Sequence, residues 1–257
     1  MKIKKYKLKL KSSKPQELNS SLAYKLYAVL CGKISGEYAQ RLHEQKKYHP
    51  VSQRLYINHS DQTANWEVVL FNDACDEFGK ALEEDSFYIK DNDMELTVIL
   101  RETAEYTSEG IMELARLSEY AGGKTDIYFS TPTAFKQNGE YLIFPSVELL
   151  IKSAAEKWSA LDERVALNDP DAVRMLISGI RITSYNLKSS YYRMKNVKIP
   201  AFTGKITLSA KLPPPLMEIY LLIIEFIALS GIGIKNTLGM GGVRIEKHQE
   251  KRRDFNV

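Results

Sequence analysis

The sequence predicts an α+β protein in two halves, each an antiparallel sheet with helices on one face. Three observations predict it: the order of periodic segments in residues 1–122, the return of that order in residues 123–257, and a Gly122-Gly123 pair between them. At 257 residues, 44% hydrophobic and 26% charged, the chain is long enough for two modest cores.

The first strand shows in its alternation, with Tyr6, Leu8 and Leu10 interleaved by Lys5, Lys7, Lys9 and Lys11. Its lysine face has two readings, protection of a sheet edge and attraction of a polyanion. Leu22, Leu26, Val29 and Leu30 make a helical stripe after a cap at Asn19 or Ser20, with Tyr24, Tyr27 and Cys31 on the opposite side. Residues 51–58 and 66–72 read as strands about a polar turn, and Asp73 is placed to cap a helix carrying Phe78 and Leu82. A hairpin follows, 87–90 and 94–101 about Asp91-Asn92-Asp93, then a connecting helix over 108–120. Strand, helix, strand, strand, helix, strand is the ferredoxin-like, or RNA-recognition-motif-like, arrangement.

The second half repeats the scheme with additions. Residues 126–131 and 141–144 are strand-like about a Gln137-Asn138-Gly139 turn, and Ser146 caps a helix with Val147, Leu150, Ile151, Ala154 and Trp158 on one face. Asp169-Pro170 opens another helix, strands at about 181–188 and 198–211 follow, and Pro213-Pro214-Pro215 starts a long apolar helix. A last strand at 243–246 closes a tandem of two ferredoxin-like domains, 1–122 and 123–257.

Several function classes are disfavoured by composition. The longest apolar run, 216–229, is too short to span a bilayer and carries Glu218 and Glu225, and the N-terminus lacks an apolar signal region, so a cytoplasmic protein without membrane contact is expected. Cys31 and Cys75 lack Cys-x-x-Cys spacing and suit a reducing compartment. His43, His49, His59 and His248 show neither His-x3-His spacing nor a neighbouring cysteine, so no metal site and no cofactor is expected. Asp91 and Asp93 have the look of paired palm carboxylates, yet Asp-Asn-Asp between two strand patterns reads better as a turn.

Charge is segregated along the chain. Residues 1–47 hold twelve Lys/Arg against three acids, residues 174–211 hold eight and no acid, and residues 48–173 hold ten against twenty-four acids. Two basic blocks on an acidic body suggest a polyanion-binding face. The second block interleaves rings with cations: Tyr185, Lys188, Tyr191, Tyr192, Arg193, Lys195, Lys198, Phe202 and Lys205. Cations for phosphates and rings for unstacked bases suit RNA; the alternative is a solvated hairpin with buried rings.

Two further segments carry candidate chemistry. Gly231-Ile232-Gly233 and Gly239-Met240-Gly241-Gly242 spell G-x-G-x5-G-x-G between a helix and a strand, with Lys235 and Asn236 in the middle. Such glycines permit positive φ and close backbone approach. The loop is either a tight structural turn or a cradle of N–H groups for phosphate, and its helix-first order excludes the dinucleotide and Walker fingerprints. The second segment runs from Arg41 to Pro50 and sets His43, Lys46, Lys47 and His49 together. A histidine transfers protons near neutral pH and ammonium groups stabilise a phosphorane-like transition state. RNA brings its own nucleophile, the 2′-hydroxyl.

Together these pieces resemble the CRISPR-associated endoribonucleases that cut precursor CRISPR RNA within its repeats, the Cas six family. The resemblance rests on Gly231-x-Gly233-x5-Gly239-x-Gly241, on Leu42-His43 followed by His49-Pro50-Val51-Ser52, on Thr131-Pro132-Thr133-Ala134-Phe135 with Phe144-Pro145, and on Phe202-x-Gly204-Lys205-Ile206. It implies metal-independent cleavage that leaves a 2′,3′-cyclic phosphate and a 5′-hydroxyl, with His43 as the acid–base residue. A tyrosine of the first helix, Tyr27 or Tyr24, is implied as its assistant. Family members often carry a lysine just before the downstream proline; here His49 takes that place, and Lys46, Lys47 or protonated His49 is left to stabilise charge. The expected RNA-binding set is Gly231, Gly233, Lys235, Asn236, Gly239, Gly241 and Arg244 with Lys188, Tyr192, Arg193, Lys195, Lys198 and Lys205. The expected partners are CRISPR repeat RNA and an interference complex that receives the product, for a monomer or homodimer. A non-catalytic repeat-binding subunit is the alternative function, and a metal-dependent nucleotide enzyme using Asp91 and Asp93 a more remote one.

Overall fold

Two sheets share the chain, and in the computed structural model they are described over residues 1–44, 48–117, 124–162, 164–195 and 197–247. The expected boundary at Gly122-Gly123 lies outside the described residues, and all strands of one sheet precede it while all strands of the other follow.

The first half runs β1 (Lys2–Ser12), α1 (Leu22–Cys31), α2 (Gly36–Glu44), β2 (Val51–Asn58), β3 (Thr63–Phe71), the short α3 (Ala74–Glu77) and α4 (Gly79–Leu82), β4 (Ser86–Ile89) and β5 (Met94–Thr107). Its strands form an antiparallel sheet in the order β2-β3-β1-β5-β4. Tyr6, Leu8 and Leu10 of β1 pack on Leu22, Leu26, Leu30, Phe78 and Leu82, so the apolar half of the alternation faces the helices. The lysine half has a different explanation from either one expected. β1 is central, so it needs no edge protection, and its lysines meet acids of neighbouring strands: Lys5 to Glu67 at 2.9 Å, Lys9 to Asp61 at 2.8 Å and Lys7 to Glu102 at 3.8 Å. Much of the first basic block is thus neutralised within its own half.

Two local expectations also change. The helix begins one residue late, at Leu22, because Asn19 Oδ1 accepts the Ser21 N–H at 3.1 Å and closes a turn of its own. Asp73 does not cap through its side chain; its carboxylate holds α2 instead. Asp91 and Asp93 lie in a single 3₁₀ turn, where Asp93 has φ of 46° and pairs with Lys14 at 3.2 Å. That is the turn reading.

The connecting helix α5 (Ser108–Leu117) leads to the second half, β6 (Lys124–Thr133), the small hairpin β7 (Phe135–Gln137) and β8 (Glu140–Leu142), α6 (Val147–Leu161), α7 (Pro170–Gly179), β9 (Ile180–Met194), β10 (Val197–Ala210), α8 (Pro214–Ser230) and β11 (Val243–Lys247). The main sheet is ordered β11-β6-β10-β9, the ferredoxin-like order, and all its pairs are antiparallel. Ser146 caps α6 by accepting the Leu149 N–H at 3.1 Å, as its position predicts. The second core reaches into the first half: Phe71 of β3 meets Phe226 of α8 edge-on at 6.1 Å, and Phe226 meets Trp158 of α6 at 5.2 Å.

Between α8 and β11 the glycine-bearing loop folds back on itself. Gly231, Gly233, Gly239 and Gly241 all have positive φ, and a Cβ on Gly241 would lie 1.9 Å from the Ile232 carbonyl oxygen. Gly36, by contrast, has nothing within 4 Å of an added Cβ and lies in the first turn of α2. Gly241→Ala is therefore expected to cost more than about 2 kcal/mol in urea denaturation, while Gly36→Ala is neutral or slightly stabilising. Equal midpoints for the two variants would contradict this account of the loop.

Candidate functional site

α2 buries Tyr38 and Leu42 and leaves Arg41, His43 and Glu44 outside. Three contacts pin it: the Tyr38 ring meets Phe78 edge-on at 6.0 Å, its hydroxyl donates to Asp73 Oδ1 at 3.1 Å, and Arg41 donates to Asp73 Oδ2 at 3.3 Å. His43 is thus an exposed side chain in the last turn of an anchored helix. Lys46 and Lys47 lie outside the described residues. The chain is fixed again at Tyr48, whose hydroxyl donates to Glu156 Oε2 of α6 at 2.7 Å. The histidine segment therefore bridges the halves, tied to Asp73 on one side and to Glu156 on the other.

The accompanying residues are rearranged relative to expectation. Tyr27 stacks on Phe78 with ring centroids 6.3 Å apart, and burial first, then the neighbouring Cys31, pushes its phenol pKa up. Its hydroxyl is turned into the first core, which corrects its place as the assisting tyrosine. Tyr24, one turn earlier on α1, is half-buried beside Tyr192 and the glycine loop. His49 is half-buried, its Nδ1 has no hydrogen-bond partner among the described residues, and burial lowers its pKa. Burial thus favours the neutral imidazole of His49 over the cation expected there.

The glycine loop is a seam between the halves. Gly239 packs against Ala23 of α1, close enough that a Cβ would lie 2.5 Å from the Ala23 Cβ. Gln53 of β2 donates to both Ala23 O at 2.7 Å and Thr237 O at 2.6 Å, and its own carbonyl accepts from Trp66 Nε1 at 2.6 Å. Tyr192 donates its hydroxyl to Leu238 O, and Asn236 donates to Ile232 O and Met240 O at 3.1 Å. Tyr192 is 2% exposed and Asn236 8%, while Gly231, Gly239 and Gly241 are buried. These five do not present themselves to a ligand: they shape the loop from inside, which corrects their assignment to an RNA surface. Gly233 and Lys235 are half-exposed.

Lys157 of α6 is enclosed under the loop, where its ammonium donates to the Ser230 carbonyl and to Asn236 Oδ1 at 2.9 Å. Burial, reinforced by the nearby Arg54 guanidinium, pushes its pKa down to about 7. Arg54 is also buried and donates to Ala228 O at 2.8 Å and to Glu67 at 2.9 Å. Burial alone would raise Glu67; Arg54 and Lys5 together outweigh it and hold the carboxyl below its usual range. Sequence reading passed over Gln53, Arg54 and Lys157. Their signal was present as polar residues inside apolar patterns, which require a distant partner.

Beside this seam, a cleft of about 670 Å³ is lined by Lys5, Lys7, Arg54, Tyr56, Arg244 and Lys247 among others. Arg244 lies 4.1 Å from the Tyr128 ring centroid and pairs with Glu246, and Lys205 pairs with Asp126 at 3.0 Å. The strand pair β9–β10 differs. Among the described residues, Lys188, Arg193, Lys195 and Lys198 have no ion-pair partner, and all four are exposed. No three His, Cys, Asp or Glu side chains converge as metal ligands among the described residues.

A family model described as "CRISPR-associated endoribonuclease Cas6" matches residues 127–243. A protein of that description from Streptococcus thermophilus is 30% identical over 231 residues, covering 89% of this chain and 93% of the relative. One from Mycobacterium tuberculosis is 26% identical over 234 residues, covering 88% and 72%. Among solved structures, a Cas6 product complex superposes with a TM-score of 0.77 at 22% identity, covering 95% of this chain and 99% of the other. A Cas6-related protein from Pyrococcus furiosus gives 0.60 at 15%, covering 97% and 99%; these two structures share the fold.

Lys157 also gives the seam a pH signature. Between about 7 and 10.5 the unfolded lysine holds a proton that the folded one has released, so unfolding takes up a proton and stability rises with pH across that window. Urea midpoints measured from pH 7 to 9 should climb for the wild type relative to Lys157→Met, in which the titrating group is gone. Parallel curves would show that the burial of this ammonium does not govern the seam.

Proposed function

The chain belongs to the CRISPR-associated endoribonuclease Cas6 family, and from that premise we propose that it cleaves precursor CRISPR RNA within its repeats without a metal ion. The observation that carries this reading is the exposed His43 on a helix held by Asp73 before it and, through Tyr48, by Glu156 after it. Proximity chemistry needs such anchoring at both ends, because a displaced base loses the aligned geometry on which its rate depends.

The step is an internal transesterification. The 2′-hydroxyl oxygen bonds to the adjacent phosphorus, the bond from phosphorus to the 5′-oxygen breaks, one proton leaves the 2′-hydroxyl and one is delivered to the 5′-oxygen. The products are a 2′,3′-cyclic phosphate and a 5′-hydroxyl. His43 moves the proton, and Lys46 or Lys47 stabilises the charge on the pentavalent phosphate, the role from which the neutral His49 is removed. Tyr24 replaces Tyr27 as the tyrosine of α1 nearest the seam. Lys188, Arg193, Lys195 and Lys198 hold the repeat's phosphates, Lys205 and Arg244 border the cleft, and Gly233 and Lys235 line the outer rim of the loop. Guide RNA then passes to an interference complex in the cytoplasm. No helix among the described residues is long and apolar enough to cross a membrane.

The burial of Tyr27 favours one second reading, a repeat-binding subunit that does not cut. Repeat RNA incubated with the protein in chelator separates the two. Cleavage should occur, should fall by about 10²- to 10⁴-fold in His43→Ala, and should vanish when the scissile nucleotide carries a 2′-deoxy group. Undiminished cutting by His43→Ala, or cutting of the deoxy substrate, overturns the mechanism; salt-sensitive binding without new RNA ends supports the subunit.

A further inference from the structure

The outer strand of the second sheet, β9, carries one ring of an aromatic pair that nothing among the described residues covers. Tyr185 is 63% exposed and Phe144, from the segment between β8 and α6, is 55% exposed. The rings meet edge to face, centroids 5.7 Å apart and planes at 86°. Neither ring is loosely placed. Tyr185 sits in register opposite Ile206 of β10, and Phe144 immediately precedes Pro145 and the Ser146 cap of α6. Six residues along β9, about 20 Å at strand spacing, Tyr191 is 55% exposed with the Lys198 ammonium 3.7 Å from its ring centroid.

Burying large apolar side chains is favourable, so two fixed, uncovered rings need an occupant. Three features of the surroundings select its chemistry. First, residues 172–217 contain no acid, and Lys188, Arg193 and Lys198 around the rings have no ion-pair partner among the described residues. A second copy of the chain would bring that positive strand against itself, and an apolar protein partner would have to desolvate the cations. Second, the rings and the cations share one strand pair, with Arg193 of β9 and Lys198 of β10 on the same face as Tyr185 and Tyr191 and Lys188 on the opposite one. Lys188 and Asn186 line the open face with Gly204 and Lys205, while Tyr185 and Tyr191 lie on the other face. A strand of nucleic acid following this edge meets rings with Arg193 and Lys198 beside them on one face and Lys188 for a phosphate at the other. Third, exposed faces of Phe and Tyr accept any base by stacking, which paired bases inside a helix cannot offer.

We infer that Phe144 and Tyr185 form a stacking site for an unpaired base of the RNA substrate, with Tyr191 beneath Lys198 as a second site farther along the same edge. This rests on the RNA-processing reading above and adds to it a place where single-stranded character is sensed, apart from the His43 segment. The site reads the face of a base, so it selects for the absence of pairing rather than for one nucleotide.

The test uses the full chain and repeat RNA in which 2-aminopurine replaces one unpaired base at a time. Wild-type protein should change the fluorescence strongly at one or two positions. Phe144→Ala with Tyr185→Ala should abolish the change at one of them and weaken RNA affinity roughly 5- to 100-fold. Phe144→Tyr with Tyr185→Phe, which keeps both rings, should restore both signals and guards against misfolding as the cause. Tight wild-type binding that the alanine pair leaves unchanged overturns this inference alone, as does an equal loss in the ring-retaining pair. Failure of the wild type to bind repeat RNA at all overturns the reading beneath it as well.

Discussion

The molecule depends on one recurring interaction, a buried side-chain donor satisfying carbonyl groups that a tight glycine turn cannot satisfy itself. Gln53 bridges α1 to the loop, Lys157 ties the end of α8 to Asn236, Tyr192 closes on Leu238, and Arg54 reaches Ala228. Each of these donors would be expensive to bury unpaired, and each carbonyl likewise. Gln53, Arg54, Lys157 and Tyr192 come from both halves, so the relation between the two sheets is set by polar contacts as well as by the shared Phe71–Phe226–Trp158 packing. The glycines serve this seam by letting backbone approach backbone.

That arrangement separates holding from exposing. The residues with the most conspicuous motif, the glycines and Asn236, lie inside. The residues at hand for a substrate lie on either side: His43 at the end of α2, and the cations and rings of β9 and β10. Charge follows the same division. The lysines of β1 are answered by Glu67, Asp61 and Glu102, whereas those around Tyr185 and Tyr191 meet no acid among the described residues. A count of basic residues along the chain weighs the two blocks alike; only their neighbours in space separate them.

Element order was legible because its signals are local. Alternation gave β1, Ser146 and Asp169 gave helix starts, and the apolar run gave α8. What alternation does not encode is which strands lie alongside, so β1 read as a possible edge when it lies between β3 and β5. Helical periodicity likewise marked Leu22, Leu26 and Leu30 as inward but left Tyr27 outward, since the Phe78 ring that covers it comes from the junction of α3 and α4, much later in the chain. In the candidate site, His43 was readable from its setting in a basic segment. Tyr48 was not, because its partner Glu156 is 108 residues away. Lys157 stood in the α6 stripe beside Ala154 and Trp158, and a lysine in such a stripe marks a buried acceptor that the sequence does not name.

The long open side of β9 has a consequence beyond substrate contact. A fifteen-residue strand with one flank unpaired among the described residues is a template on which another chain can anneal, hydrogen bond by hydrogen bond. Arg181, Lys188 and Arg193 place like charge along that flank, so two molecules approaching edge to edge repel before their backbones meet. The repulsion is a matter of solution conditions: it weakens as ionic strength shortens the Debye length. Colloidal behaviour and substrate affinity are thereby set by the same few side chains, and exchanging those cations for neutral residues alters both together.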